Sequence, residues 1–298
     1  MLVRELSDVH EVVGTVREAS GTNIPLLNFL NRDRIRFAIS AEGGSQIADL
    51  LITENPDVVL NCIGVVKQLQ ESKDLESSES ANSKLPHLLS EICQKINARL
   101  IHFSTDCVFS GRTGNYKETE IPDPVDVYGR TKFLGELNND RDLTLRTSFV
   151  GRELVHFSNL FEWACRQRGT QVRGFRQAIY SGVTTKSLAK IVGSLISDHP
   201  SLTGLFHIAS HPISKYHLLC ILNSKLRLNL SITPDDAFIS DRSLDGTRFL
   251  LTTGIEIPSW DQMLDEFVSD ETTYKQLGFR RGTIYACHDY CWYAARNN

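Results

Sequence analysis

The stretch "ARLIHFST" (98–105) decides the predicted fold of this chain. It is apolar at most positions and ends in two hydroxyl side chains, Ser104 and Thr105. A short run with this composition is typical of a strand that is covered on both faces of a parallel sheet. We therefore interpret it as an inner strand whose carboxyl end carries Ser104 and Thr105.

The same kind of strand recurs on both sides of this stretch and alternates with helical patterns. The strand-like runs are 10–17, 34–40, 57–64 and 143–150, and the helical apolar spacing occurs in 45–55, 80–97 and 126–139. Pro86 interrupts the second helical segment and is expected to kink it or to start it afresh. This alternation predicts an α/β fold with a doubly wound, Rossmann-like parallel sheet.

After residue 150 the alternation loosens. Helices are predicted at 157–169, 184–199 and 214–226, the last with Ser214 as its N-cap, and a strand is predicted at 204–210. We interpret 1–150 as a dinucleotide-binding domain and 151–270 as a smaller substrate-binding part that is interleaved with the last elements of the sheet. The tail 271–298 has no assignment.

The composition excludes several classes of protein. The 298 residues are 41% hydrophobic and 23% charged, with a net charge of -4, which favours a soluble enzyme over a nucleic-acid-binding surface. The charged start "MLVRELSDVHEVV" is not typical of a signal peptide, and no apolar run is long enough to span a membrane.

The seven cysteines are irregularly spaced and predict reduced thiols in a cytoplasmic protein. Cys287 and Cys291 flank His288, but these three side chains have no second ligand pair, so no metal site is predicted.

Tyr128 and Lys132 lie one helical turn apart on the helix after Thr105, so their side chains share one face. A nearby ammonium is expected to lower the pKa of a phenol toward the range that suits acid–base catalysis. Thr105 could hold the same substrate oxygen against the phenol. A lone Tyr-x-x-x-Lys is also typical of a solvated helix face, but the strand-end threonine and the α/β pattern favour hydride transfer with a nicotinamide cofactor.

The segment "LIHFSTDCVFSGRTGNYKETEIPDPVDVYGRTKFLGE" (100–136) resembles the extended short-chain dehydrogenase/reductase superfamily. More narrowly, it is similar to the RmlD-like (dTDP-4-dehydrorhamnose reductase) branch. The matching residues are Ser104, Thr105, Asp106, Val108, Phe109, Gly111, Tyr128, Gly129, Lys132, Gly135 and Glu136. Cys107 is a departure, because that branch usually has a tyrosine there.

The resemblance implies a catalytic triad and a reaction. The triad is Thr105, Tyr128 and Lys132, and the reaction is reduction of a nucleotide-linked 4-keto-6-deoxysugar with NADP(H) in deoxysugar and polysaccharide biosynthesis. A nucleotide-sugar substrate and a homodimer are the implied partners, without nucleic acid or membrane. The implied cofactor-binding residues are Asn61, Cys62, Ile63, Gly64, Ser104 and Lys132, and the implied substrate-binding residues are Asp106, Cys107 and Ser148.

Arg17 decides the predicted preference for NADPH. It ends the strand where NAD-preferring enzymes usually have an acidic residue, and a guanidinium there suits the 2′-phosphate. Glu18 beside it weakens this interpretation, and an arginine after a strand is often only solvated. Glu42 is the best candidate for the family's acidic residue near the adenine.

The two ends of the chain depart from the family pattern. A dinucleotide-binding fold opens with a strand and a glycine-rich turn that meets the pyrophosphate, whereas this sequence begins with "MLVRELS". We therefore expect weak dinucleotide binding and a gap at the centre of the sheet. The tail run "GTIYAC" (282–287) has a strand-like composition, and we expect either that it fills the gap or that the chain aggregates. A mis-called or rearranged reading frame is an equally good account of the tail.

Two other functions remain open at this point. The first is a sugar-nucleotide epimerase or dehydratase, although dehydratases usually carry Asp-Glu after the strand-end threonine and this chain has Asp106-Cys107. The second is a non-catalytic binding or regulatory subunit, like the related β subunit of methionine adenosyltransferase. The intact triad disfavours that function, and the missing glycine turn favours it.

Overall fold

The computed structural model describes residues 1–16, 35–36, 44–65, 75–153, 159–270 and 291–296. A sheet of seven strands forms its centre, in the order β10-β5-β4-β3-β14-β1-β2. These strands are β1 (Glu11–Val16), β2 (Ile35–Arg36), β3 (Val58–Asn61), β4 (Arg99–Thr105), β5 (Leu143–Thr147), β10 (Gly204–His207) and β14 (Cys291–Arg296). All neighbouring pairs are parallel except the two that β14 makes. The predicted doubly wound α/β class is confirmed.

Consecutive residues of the inner strands contribute to two different cores, as the period of two in a strand requires. In β3, Val58 and Leu60 belong to one core, whereas Val59 belongs to the other. The first core is closed by α1 (Leu2–Leu6), α7 (Thr185–Ser197) and α10 (Trp260–Ser269). The second core is closed by α2 (Gly44–Glu54) and α4 (Leu85–Lys95). Burial on both faces explains the apolar runs in the sequence.

The helix over the second face contains a wide turn. A short helix α3 (Leu75–Glu79) continues through a π-helical turn, Ser80–Lys84, into α4. Pro86 lies in the first turn of α4, as expected of a proline that starts a helix afresh. Because Pro86 has no N–H, it cannot bond to the carbonyl of Asn82 four residues earlier.

Residues 149–270 contribute β10, α7 and α10 to the central sheet and its first core, and they also form several short strands and helices. The helices are α5 (Val127–Leu134), which precedes this part, and α6 (Leu160–Arg166), α8 (Lys215–Leu226) and α9 (Thr247–Thr253) within it. The strands are β6 (Phe149–Val150), β7 (Gln171–Phe175), β8 (Ala178–Tyr180), β9 (Val183–Thr184), β11 (Ile213–Ser214), β12 (Ser231–Asp235) and β13 (Ser240–Asp241). Ser214 caps α8 as predicted, because its Oγ accepts the N–H of His217 at 3.2 Å. The division into two parts at residue 150 stays a prediction.

The tail supplies a strand at the centre of the sheet. β14 lies between β1 and β3 and runs antiparallel to both, with Tyr293 opposite Gly14 on one side and opposite Leu60 on the other. In a doubly wound sheet of order 3-2-1-4-5-6 this is the position of the first strand. The tail therefore fills the gap through 291–296. Residues 282–287, which we expected there, lie outside the described residues.

Candidate active site

The strand-end residues are held in place by a short turn. Thr105 ends β4, and its Oγ1 accepts the N–H of Cys107 at 3.2 Å, which starts the 3₁₀ turn Asp106–Val108. Helix α5 then packs on this turn through Gly129: a Cβ added at Gly129 would lie only 2.1 Å from the carbonyl oxygen of Cys107. The glycine therefore allows the contact that brings Tyr128 beside Thr105.

Tyr128 and Lys132 both face the carboxyl end of β4. The Lys132 side chain is buried, and its Nζ donates to the carbonyl oxygen of Phe103 at 2.6 Å. Burial lowers the pKa of Lys132 to about 8, while the nearby Glu136 and Cys62 act to raise it. The predicted grouping of Thr105, Tyr128 and Lys132 at one strand end is present in the structure.

The expected lowering of the Tyr128 pKa is not seen. Burial raises the pKa of Tyr128 well above its ordinary value, and the neighbouring Cys107 and Asp106 raise it further, whereas hydrogen bonding to Thr105 lowers it. The charge of Lys132 does not offset this rise. Our sequence argument was wrong here because it weighed only the charge of the lysine and omitted the desolvation of the phenol. Tyr128 is therefore a protonated donor at neutral pH.

Asn82, which the sequence analysis did not select, joins three elements of the site. Its Oδ1 accepts the N–H of Val65 at 2.9 Å, and its Nδ2 donates to Val65 O at 3.2 Å and to Thr131 Oγ1 at 3.1 Å. The loop after β3 is thereby fixed to α5. The signals in the sequence were Pro86, which marks the π-helical turn, and Gly135, where a Cβ would lie 1.9 Å from the carbonyl oxygen of Asn82.

The loop after β3 contains the predicted cofactor-binding residues. Asn61 is buried, and its amide group contacts His102 Nδ1 at 3.1 Å and accepts the N–H of Ile63 at 3.1 Å. Gly64 lies where a Cβ would come within 2.9 Å of Asn82 Oδ1 and 3.9 Å of Lys132 Nζ. Cys62 is half-buried and close enough to Lys132 to affect its charge. Asn61 therefore shapes the loop, and Gly64 allows the close approach of Asn82 Oδ1 to it.

Ser104 belongs to a buried ionic network behind the triad. Its Oγ donates to Glu136 Oε1 at 2.6 Å, and Arg146 binds both oxygens of Glu136, with two nitrogen–oxygen distances of 2.7 Å. Nη1 of Arg146 contacts His207 Nε2 at 3.3 Å. Burial and the guanidinium lower the pKa of His207 to about 3, so that imidazole is neutral. The Ser104 hydroxyl is directed at this network.

The predicted substrate-binding residues directly follow two strand ends, since Asp106 and Cys107 come after β4 and Ser148 comes after β5. Asp106 is buried, and burial raises the pKa of its carboxyl group. The positive charges of Arg242 and Lys215 act to lower this pKa. Cys107 and Ser148 are half-buried. Tyr180 of β8, which the sequence analysis missed, is close enough to Asp106 for its pKa to be raised by that carboxylate in addition to burial.

Several predictions concern residues outside the described ranges. Arg17, Glu18, Glu42, Cys287 and His288 all lie outside them. Within the described residues no cluster of His, Cys, Asp and Glu side chains could hold a metal ion. The described cysteines Cys62, Cys93, Cys107, Cys165 and Cys220 are free thiols. In the same part of the chain, no helix has the length and apolar character to cross a membrane.

A doubly wound α/β sheet with a threonine at a strand end and a Tyr-x-x-x-Lys helix packed on it defines a protein of the short-chain dehydrogenase/reductase class. Within that class, the chain belongs to the family described as "RmlD substrate binding domain", whose model matches residues 11–273. That match covers most of the chain and confirms the resemblance found in the sequence.

Individual relatives agree with this assignment. The chain is 26% identical to a dTDP-4-dehydrorhamnose reductase of Aggregatibacter actinomycetemcomitans, over 70% of this chain and 79% of that protein. It is 27% identical to the spore coat polysaccharide biosynthesis protein SpsK of Bacillus subtilis, over 73% of this chain and 81% of that protein. A solved structure of the Bacillus anthracis dTDP-4-dehydrorhamnose reductase in complex with NADP has a similar fold, with a TM-score of 0.71, 21% identity, and coverage of 84% of this chain and 95% of that one.

Proposed function

We propose that this protein is an NADP(H)-dependent reductase of a nucleotide-linked 4-keto-6-deoxysugar. The observation that carries the proposal is the arrangement of Thr105, Tyr128 and Lys132 at the carboxyl end of β4 in a member of the RmlD family. The names of the relatives support the same reaction, because they describe a dTDP-4-dehydrorhamnose reductase and polysaccharide biosynthesis. We place the reaction in the cytoplasm, where deoxysugar nucleotides serve polysaccharide synthesis.

The three side chains have separate tasks in this proposal. NADP(H), when bound, supplies the hydride to the carbonyl carbon. Tyr128 carries its proton at neutral pH, because burial raises its pKa, and it donates that proton to the carbonyl oxygen as negative charge develops there. The Thr105 hydroxyl, which hydrogen-bonds the phenol, holds the same oxygen, and the Lys132 ammonium holds the ribose of the cofactor.

The nicotinamide half of the cofactor fits the described residues. Lys132 Nζ lies close to Gly64 in the loop after β3, and its only described hydrogen bond goes to Phe103 O. An ammonium has three donors, so it keeps hydrogen-bonding capacity for ribose hydroxyls. We propose that Asn61, Cys62, Ile63 and Gly64 form one wall of the nicotinamide site, with Ser104 behind Lys132.

The described residues give less support for binding of the pyrophosphate half of the cofactor. The first strand of a doubly wound sheet ends in the turn that meets a pyrophosphate, and antiparallel β14 takes that position here. The expectation of weak dinucleotide binding therefore stays a prediction, and we derive no contact to the pyrophosphate. A fluorescence titration with NADPH checks it, and tight binding would contradict it. For the 2′-phosphate we propose Arg17, whose replacement by alanine should weaken NADPH binding more than NADH binding.

The two alternative functions receive less support. A dehydratase or epimerase would need a second acid or base near the strand end, and Asp106 is followed by the thiol of Cys107. A non-catalytic subunit would have no need to keep a buried lysine beside a half-buried tyrosine, an arrangement whose desolvation has to be offset elsewhere.

The proposal is tested by measuring NADPH oxidation in the presence of nucleotide-linked 4-keto-6-deoxyhexoses. The oxidation is followed as the loss of the reduced nicotinamide's absorbance at about 340 nm. NADPH should be supplied at millimolar concentration, so that a weak site is filled. We expect turnover that depends on the keto sugar and is absent with the corresponding nucleotide-hexose. No oxidation under these conditions would contradict the proposed reductase and would favour the non-catalytic subunit.

A further inference from the structure

The Thr105 hydroxyl group joins the triad to a buried carboxyl group. Asp106 Oδ1 lies 3.2 Å from Thr105 Oγ1, and Asp106 is only 6% exposed. The same Oγ1 accepts the N–H of Cys107 at 3.2 Å, and the hydroxyl also hydrogen-bonds the phenol of Tyr128. One hydroxyl group therefore has a carboxyl group, a backbone amide and a phenol as its neighbours.

The way in which this hydroxyl group can donate depends on the charge of Asp106. A threonine hydroxyl has one hydrogen to donate and two lone pairs that accept. The N–H of Cys107 occupies one lone pair. An ionised Asp106 can only accept, so it takes the single hydrogen of Thr105 and leaves none for a substrate oxygen. A protonated Asp106 donates to the second lone pair instead, and Thr105 then keeps its hydrogen for the substrate oxygen or for Tyr128.

An ionised Asp106 would also oppose the proton donor. Its negative charge raises the pKa of Tyr128 and that of Tyr180, because each phenolate would lie near a like charge. In the proposed reaction Tyr128 becomes negative when it gives up its proton. A neutral Asp106 removes this repulsion at the moment of proton transfer.

The surroundings of Asp106 favour its neutral form. Burial raises the pKa of the carboxyl group and is the largest influence on it, because a charged carboxylate loses its hydration there. The groups that act in the opposite direction are Arg242, Thr105, Cys107 and Lys215. The balance of these influences leaves the pKa of Asp106 above its ordinary value.

The two cations near Asp106 have other surroundings. The Nε of Arg242 donates to the carbonyl oxygen of Phe109 at 3.0 Å, and its Nη1 lies 3.7 Å from the sulfur of Cys107. Lys215 begins α8 and is exposed, so water screens its charge. In the part of the chain that the structure describes, no ion pair involves Asp106. The carboxyl group is thus buried beside Thr105 without a cation in contact with it.

We propose that Asp106 acts as a neutral carboxylic acid that donates to Thr105 and so directs the Thr105 hydroxyl at the substrate oxygen. Asp106 is a positioning residue, because it acts through Thr105 and not on the reacting atoms. The identity of the substrate oxygen rests on the proposed function, whereas the direction of the hydrogen bond between Asp106 and Thr105 is a property of the protein alone.

Infrared spectroscopy tests this directly, because a carboxylic acid has a C=O stretching band that a carboxylate lacks. The difference spectrum between the unmodified protein and Asp106→Asn should contain this band at neutral pH, where an ordinary aspartate is ionised. Thr105→Val should shift the band, because it removes the oxygen to which the acid donates. Asp236→Asn is a matched control: Asp236 is exposed, and hydrogen bonding to Arg176 lowers its pKa, so its difference spectrum should contain no such band.

The rate of NADPH oxidation provides a second measurement. Asp106→Ala should lower kcat/KM about tenfold, because Thr105 loses the donor that orients it. Asp106→Asn should recover part of this loss, because its amide group still donates to Thr105. Asp236→Asn should keep the full rate. Thermal melting of each variant shows whether its fold is intact.

The outcomes separate this role from the reaction itself. The inference is overturned by the absence of the carboxylic acid band at neutral pH, or by a band that Thr105→Val does not shift. It is also overturned if Asp106→Asn is as slow as Asp106→Ala while both variants melt normally, since the ionised carboxylate would then be the working form. An unmodified protein that is inactive but shows the band and its shift would contradict only the reductase.

Discussion

Tyr128 shows how far a single side chain can be interpreted from its neighbours. Burial raises its pKa, so the phenol is protonated at neutral pH and is suited to donate. We expect Tyr128→Phe to lower the rate of NADPH oxidation about a hundredfold or more, because it removes the donor. Tyr216→Phe is a matched control on α8, and its rate should be unchanged. A Phe variant at 128 with near-full turnover would show that another group is the acid.

Lys132 predicts a pH dependence for activity. Its pKa is about 8 in the folded protein, so the ammonium is present below this value and is lost as the pH rises through it. Because the proposed mechanism uses the ammonium, kcat/KM should decline above about pH 8 and level off below it. Lys132→Met should lower both the rate and NADPH affinity and should remove this step from the profile. A step that persists in the Met variant would assign it to another residue.

The same group makes a separate prediction about stability. The folded-state pKa of Lys132 lies below the ordinary lysine value of 10.5, so between about pH 8 and pH 10.5 the unfolded chain binds more protons. Stability therefore rises with pH across that window as far as this lysine is concerned. Urea unfolding at several pH values should show a steeper rise for the unmodified protein than for Lys132→Met. Parallel curves would mean that the ammonium is not desolvated in the folded state.

The residue-scale site could be predicted only in part from the sequence. Thr105, Tyr128 and Lys132 were found because a strand end and a helical turn are local features. Tyr180 and Arg242 were missed because they reach Asp106 and Cys107 through the fold from distant parts of the chain. The direction of the Tyr128 pKa was missed for the same reason, since desolvation depends on packing around the phenol.

At the scale of elements, β4, β5 and α5 are joined by the buried pair of Glu136 and Arg146. The two side chains are only 5% and 3% exposed. Glu136→Gln leaves the guanidinium charge buried without a counter-charge, and we expect a loss of about 3–5 kcal/mol in the free energy of unfolding. Urea denaturation measures this loss. Asp236→Asn breaks an exposed pair and should change stability little, so equal losses in both variants would contradict our account.

Elements were better predicted than single contacts, and the reason lies in their periodicity. The predicted strand at 98–105 is β4 at Arg99–Thr105, and the predicted helix at 184–199 is α7 at Thr185–Ser197. The π-helical turn Ser80–Lys84 was not predicted, because its apolar spacing resembles that of an ordinary helix. Once the structure is known, Pro86 and the buried amide of Asn82 account for this π-helical turn.

At the scale of the whole molecule, the sheet depends on the tail. β14 pairs with β1 over six residues and with β3 over three. Ala294→Pro removes a ladder donor at the centre of a sheet, where proline is rarely tolerated. We expect the melting temperature to fall by about 5 °C or more, and Ala294→Ser, which keeps its N–H, to change it much less.

Deletion of 271–298 provides an independent test of the same feature. It should cost more than the single proline, because it exposes two strand edges and the apolar surface beside them. A melting transition that barely moves after deletion would mean that β14 does not stabilise the sheet. The tail was placed only approximately from the sequence, because both 282–287 and 291–296 have a strand-like composition and only pairing with β1 and β3 distinguishes them.

The position of β14 also has a consequence for how the protein is made. Its partners β1 and β3 leave the ribosome early, whereas Cys291–Arg296 leave it only after almost all of the given chain has been synthesised. Until then the two nascent strands have open edges toward each other, and pairing them directly would exclude the strand that belongs between them. Contacts this far apart in sequence slow folding and leave edges open to aggregation. We expect a stalled nascent chain that lacks its last residues to be bound by chaperones and cut by proteases, and release of the full chain to end both.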